Sequence, residues 1–207
     1  MIITYMGKQC FKITQGDLVV AFNPISKDAK YSGKVPHFGA DIALSTTNHP
    51  NYNGFENLSH GDTIPFEIKG PGDYEIKNIF IKGLLSETEI DGKKYINTVY
   101  TMTIDNIALC FLGAFNKNKL DASIRGEIDS CDIVFVPLND DFMSVSDSFA
   151  LSNTLEPKII IPMDYDEKNL KAFIKESGQE KVIPIDKLTI KSKELAGREG
   201  EIIILSN

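Results

Sequence analysis

Apolar and polar positions alternate in short bursts through the first half of the chain. Ile2–Met6, Cys10–Thr14 and Leu18–Phe22 are brief apolar or period-two runs, separated by Gly7-Lys8-Gln9 and Gln15-Gly16-Asp17. Such runs, broken by polar triplets containing glycine, predict strands joined as a meander. Asp41–Ser45, Thr63–Ile68, Ile79–Leu85, Thr98–Ile104 and Ile107–Leu112 continue the strand pattern. Between Thr46 and Gly54 the chain reads TTNHPNYNG, too irregular for a helix and too polar for a strand. Gly70-Pro71-Gly72-Asp73 has the composition of a turn, so Asp73 and Glu75 beside it are expected to be structural rather than acid–base groups.

The second half changes period. Asp132–Leu138 and Lys158–Met163 are continuous apolar runs, the pattern of strands buried on both faces. Helices are predicted at Lys119–Ile128, Ser144–Leu155 and Glu167–Ser177; in the last, Leu170, Phe173 and Ile174 share one face. Ser or Asp caps the start of the second helix, and Asp164 is expected to cap the third. Glu201–Leu205 closes the chain as a strand. Strands first, then strands alternating with helices, predict two sheets packed face to face with helices outside, an α/β four-layer αββα sandwich. One domain over residues 1–207 is expected, since 207 residues bury a core without staples.

Charge narrows the partners. A net charge of −7 leaves no basic surplus to neutralise phosphates, which argues against nucleic acid. No apolar run approaches the ~20 residues that span a membrane. Cys10, Cys110 and Cys131 form no close pair and sit in or beside strand-like runs, so they are expected to be buried hydrophobes in a reducing compartment. With no leader pattern after Met1, a cytoplasmic location is expected. Of the histidines, His37 and His60 fall in turns and are expected to be solvated.

The order ITYMGKQCFKI, VVAFNP, DIALSTTNHPNYNG, GPGDYEIKNIFIKG, ALCFLGAFNK, DIVFVPL and LEPKIIIPMDY resembles the zinc-dependent hydrolases of the metallo-β-lactamase superfamily, in particular the lactonase-like branch. The resemblance runs from Ile3 to about Leu205. It implies the metallo-β-lactamase fold and a site in which a T-H-x-H-x-D-H loop and three downstream loops hold metal. Zinc gathers several deprotonated N, S or O donors at about 2.0–2.3 Å, and its bound water becomes the nucleophile.

Carried over position by position, the resemblance puts Thr47 where the first His belongs, while His49 keeps the second. Asn51 replaces the Asp, Tyr52 the last His of the loop, Thr88 the next His, Ala114 the bridging Asp and Asp164 the final His. Lys8 stands where a His usually follows the Gly, and Asn23 where an Asp precedes Pro24. Hydroxyls, amides and a methyl do not offer the donors zinc prefers, and two ordinary ligands fall short of three. An amide at Asn51 cannot serve as a base, and a positive Lys8 opposes a cation.

No zinc is therefore expected, and a non-catalytic member with a binding or assembly role is the first expectation. The second is a hydrolase of a phosphate ester, lactone or related substrate, with Lys8, His49, Tyr52 and Asp164 lining a rebuilt site; only that reading calls for zinc or manganese. A cavity with Lys8 and the Thr47-Asn48 loop suits a small anionic ligand. The vacated face also suits packing against a second copy in a homo-oligomer.

Overall fold

The computed structural model describes residues 1–179 and 181–207. Strands β1 (Ile2–Tyr5), β2 (Phe11–Gln15) and β3 (Leu18–Phe22) form the expected antiparallel meander. β4 (Ile42–Leu44) then lies parallel to β3, and β5 (Phe66–Ile68) parallel to β4. A late strand, Leu188–Thr189, pairs with the outer edge of β1 and completes a six-stranded sheet.

The second sheet begins with four antiparallel strands, β6 (Gly72–Ile76), β7 (Ile79–Ile90), β8 (Lys93–Ile104) and β9 (Ile107–Phe111). β10 (Ile133–Pro137), β11 (Ile159–Met163) and the short strand Glu201–Ile202 continue it in parallel, giving seven strands. The apolar runs of β9, β10 and β11 are buried throughout, as continuous hydrophobicity predicts for strands covered on both faces.

The inner faces share one core. Phe11 and Phe22 of the first sheet meet Phe111 and Phe135 of the second; Phe22 stacks on Phe111 at 4.4 Å and Phe11 meets Phe135 edge-on at 4.8 Å. Each ring hidden there contributes on the order of 1.5–3 kcal/mol. Helices α1 (Ala122–Gly126), α2 (Val145–Asn153) and α3 (Glu167–Ser177) cover the outer face of the second sheet through Ile124, Leu151 and Phe173. On the outer face of the first sheet the covering layer is thinner. There Phe38, Leu58 and a single 3₁₀ turn, Phe55–Asn57, pack on Ala21 and Ala43. The sandwich is thus αββα with loop standing in for helix on one side. No helix among the described residues is long and apolar enough to cross a membrane.

Several boundaries differ from the sequence expectation. Gly70-Pro71 does turn, but the following Gly72–Ile76 is the edge strand β6 and carries Asp73 and Glu75. β7 and β8 reach 12 residues each and meet in a two-residue turn, Asp91-Gly92, both with positive φ (51° and 72°). That geometry is the hairpin turn for which Asp-Gly is suited. Asp164 does not cap α3; Asp166 does, accepting from the Asn169 N–H at 2.7 Å. Ser144 caps α2, accepting from the Asp147 N–H.

Candidate functional site

β3, β4, β9, β10 and β11 all run parallel to a neighbour within their sheets, and the loops leaving their carboxyl ends meet at one rim of the sandwich. This is where parallel strands ordinarily present ligand-binding groups. From β3 comes Asn23, from β4 Thr46 and Thr47, from β9 Gly113 and Ala114, from β10 Asn139 and from β11 Asp164.

Asn23 is fully buried with a positive φ of 44°. Its Oδ1 accepts the Thr46 N–H at 2.8 Å, while its Nδ2 donates to Thr46 Oγ1 at 2.9 Å and to Gln9 Oε1 at 3.0 Å. These bonds fasten the start of the 46–54 loop to the turn after β1. One residue on, Thr47 donates its hydroxyl to Asn97 Oδ1 at 3.2 Å. Asn97, in β8, also accepts the Ala114 N–H at 2.9 Å and donates to Ser86 Oγ (2.9 Å) and the Leu112 carbonyl (3.0 Å). All four hydrogen-bonding positions of this buried amide are filled. Gly113 has to be glycine: with φ +66°, a Cβ there would lie 2.6 Å from Asn97 Oδ1 and from Thr46.

The other pole is Asp164. Its N–H donates to the Lys8 carbonyl at 2.7 Å, and both residues hold positive φ, 52° and 49°. Tyr5 braces the same junction, its hydroxyl donating to the Lys8 carbonyl at 2.7 Å. The Asp164 carboxylate lies 3.8 Å from Lys8 Nζ, 3.4 Å from the Tyr52 hydroxyl and 3.5 Å from Gln9 Nε2. None of these contacts is short. Burial pushes the Asp164 carboxyl above its ordinary pKa, with the Lys8 charge opposing. Burial likewise pushes the Tyr52 phenol well up, and the Asp164 charge adds to that.

Gln9 links the two poles, since it accepts from Asn23 and faces Asp164. The predicted residues Lys8, Tyr52 and Asp164 therefore meet, and Thr47 and Ala114 meet at Asn97. Tyr52 also joins the groups apolarly: its ring, the Ala114 methyl and Phe142 form a small buried cluster with Ile90 against it. His49 is half-buried beside this cluster, its ring 5.9 Å from Tyr52 and 5.7 Å from Tyr95. His49 Nδ1 accepts the Asn51 N–H at 3.2 Å, so the neutral ring carries its proton on Nε2. Burial lowers the His49 pKa; Asp91 opposes, while Lys8 and Lys30 push the same way as burial. Two acceptor atoms in the neighbourhood, Asn51 Oδ1 and Thr88 Oγ1, are buried without a protein partner.

Above Asn51 and Tyr52 opens a cavity of about 550 Å³, walled by Asn116, Asn139 and the tip of the β7–β8 hairpin. His37 and His60 lie outside it, exposed; His37 Nδ1 sits 2.6 Å from the Asn57 carbonyl. The three cysteines are buried and unpaired, and burial pushes the Cys10 thiol up to about 12. Asn97, Gln9 and Ser86 are site residues that sequence reasoning did not single out. Among the described residues, no three His, Cys, Asp or Glu side chains gather as a metal-binding group.

Comparison with known proteins agrees with the fold. The family model described as a beta-lactamase superfamily domain matches residues 2–164. A Staphylococcus saprophyticus protein named a metal-dependent hydrolase is 28% identical over 65% of the chain, and the match spans 65% of that relative's length. A Listeria monocytogenes protein of the same name is 23% identical over 80% of the chain and 85% of its own length. A crystal structure named for a Zn-dependent hydrolase of the metallo-β-lactamase superfamily, from Thermotoga maritima, superposes with a TM-score of 0.77. That match has 22% identity and covers 99% of this chain and 97% of the other.

Proposed function

This chain belongs to the beta-lactamase superfamily domain family, and from that premise we propose that it is a member working without metal, as a binding protein rather than a hydrolase. One observation carries the proposal. Ala114, at the place the resemblance gives to a metal-bridging carboxylate, packs its methyl against Tyr52 and Phe142. Apolar contact there replaces a donor with none.

The remaining donors fit a divalent ion poorly. Catalytic zinc takes at least three strong N, S or O ligands, and the positions in question supply one imidazole and one carboxylate. The carboxylate faces the Lys8 ammonium, which repels an incoming dication. Thr47 Oγ1 spends its proton on Asn97 and stays a neutral hydroxyl. In place of ligand bonds, a chain of neutral side chains from Ser86 through Asn97 to Thr47, and from Thr46 through Asn23 to Gln9, ties the loops together. Two oxygens at ligand positions, Asn51 Oδ1 and Thr88 Oγ1, stay buried without a partner, but a neutral amide and a hydroxyl are not the deprotonated donors zinc prefers.

The test is metal content. Protein produced with added zinc or manganese and then purified is expected to carry far less than one ion per chain by elemental mass spectrometry. One tightly held ion per chain, lost on His49→Ala or Asp164→Ala, would overturn the proposal.

A second reading, a hydrolase, has its own support: the relatives are named metal-dependent hydrolases, which favours a zinc or manganese ion, and an Asp164 carboxyl of raised pKa beside Tyr52 and Lys8 suits acid–base chemistry. Turnover of phosphate esters or lactones that disappears in Asp164→Asn would favour it over the binding role.

A further inference from the structure

We propose that the cavity between Lys8, Lys30, Tyr31 and Tyr165 binds a small organic oxyanion, a phosphate monoester or carboxylate carried on a compact apolar or aromatic body. It is an open cleft of about 540 Å³ with Asp164 in its wall. That volume falls in the range of small-molecule sites.

The charge balance of the cavity runs against that of the protein. The chain as a whole is −7, yet among side chains this cavity is lined by two ammonium groups and one carboxylate, Asp164. The neighbouring 550 Å³ cavity shares Lys8 and Lys30 but adds Glu89, Asp91 and Asp141, which repel an anion. An oxyanion entering between the lysines is therefore drawn to the Tyr31 and Tyr165 side.

Both cations are available. Lys8 sits 3.8 Å from Asp164, a loose contact that leaves its donors able to turn toward a second acceptor. Lys30 makes no ion pair among the described residues. The loop that carries Lys30 is anchored at the next residue. The Tyr31 hydroxyl rests over Gly7, where a Cβ would come within 2.1 Å of it, and accepts from Asn207 Nδ2 at 3.2 Å. Gly7 is thus the residue that lets Tyr31 close on the turn carrying Lys8.

Leu170, Pro184 and Ile204 give the cavity its apolar wall, and Tyr165, whose hydroxyl donates to the Leu205 carbonyl at 2.8 Å, holds a fixed ring at its side. Two cations together with an apolar, aromatic wall match an anionic head on a small hydrophobic body. This pocket deepens the binding role assigned above.

The test is calorimetric titration of the full chain with phenyl phosphate, benzoate and neutral phenol. At least one of the two anions is expected to saturate, with affinity falling as salt is raised, and phenol is not. Whichever anion binds more tightly assigns the head group. Lys30→Gln, a change at an exposed side chain, is expected to weaken that anion by about tenfold or more through loss of a charge-assisted contact, and Lys30→Arg to retain it. No saturable binding of either anion at millimolar concentration, or binding unchanged in Lys30→Gln, would overturn the proposal. Metal content, measured on the same preparations, bears on the metal-free reading separately, so failure of one is not failure of the other.

Discussion

The hydroxyl of Thr47 reaches across the sandwich rim to Asn97 Oδ1 at 3.2 Å, joining the loop after β4 to the middle of β8. The resemblance to zinc-dependent hydrolases implies loops at this rim that share an ion. Here the same loops are held by an amide whose donors and acceptor are all spent on protein. A neutral network costs little to bury when every member is satisfied, whereas a half-satisfied one is expensive.

Asn97→Leu tests that arrangement. The substitution strands the Ala114 N–H, the Leu112 carbonyl and the Thr47 hydroxyl in a buried place. Each unpartnered group costs about 1–3 kcal/mol, and they do not sum fully, so a net loss of about 3 kcal/mol is expected. Urea unfolding measures it. A loss below about 1 kcal/mol, the worth of one ordinary hydrogen bond, would show that the amide does not hold the rim.

Asp164 and Lys8 make a prediction about pH. Burial raises the Asp164 carboxyl above its ordinary value of 3.8. Above pH 3.8 the folded protein therefore keeps a proton that the unfolded chain has released, so stability from this group declines as pH rises through the folded pKa. Asp164→Asn removes that decline. The variant is expected to match the wild type in acid and to unfold at higher urea above the folded pKa of Asp164, where the wild type carries the buried charge. Lys8 is left behind with 21% of its side chain exposed, enough for its ammonium to reach water. Lys8→Met should act oppositely, costing about 1 kcal/mol above that pKa and less below it; the pair is too loose and too near solvent for the full buried-pair penalty. A pH-independent difference for Asp164→Asn would contradict the assignment.

Much of this architecture was legible in the chain because burial on both faces leaves an unambiguous mark. IVFVP and IIIPM admit little but interior strands, and both are fully buried. The outer half of the β7–β8 hairpin was not legible. Its inward positions are polar, with Ser86, Thr88 and Asn97 buried, while the apolar Leu85 and Ile96 face outward, so hydrophobicity there does not mark the inside. Only Asp91-Gly92 marked the turn, and without flanking alternation that dipeptide is ambiguous. At the site, the positions of Thr47, His49, Tyr52, Ala114 and Asp164 came from resemblance, and Asp164 was misplaced as a helix cap because Asp166, two residues on, offers the same side chain. Asn97 left no trace: an Asn inside a strand reads as solvent-facing until a partner from another loop arrives, and Thr47 lies 50 residues away. Polar networks that bridge distant loops are properties of the fold, not of a local pattern.

Ala114→Asp puts the metal-free reading at greatest risk. Ala114 is wholly buried against Tyr52 and Phe142, so a carboxylate there replaces apolar contact with a charge that finds no cation. Burying an unpaired ionisable group is one of the few single changes that exceed the usual range, and a cost of about 3 kcal/mol or more at neutral pH is expected, easing in acid as the group protonates. If the rim were a metal site lacking only its bridging acid, the substitution would complete a three-donor set with His49 and Asp164. Zinc at about 1,000 times its dissociation constant would then return about 4 kcal/mol. The expected outcome is no recovery, because the Tyr52 ring fills the space and Lys8 stays beside Asp164. A urea midpoint restored by zinc and lost again to a chelator would mean that the pocket still grips a divalent ion, and the binding-protein assignment would have to yield to a hydrolase one.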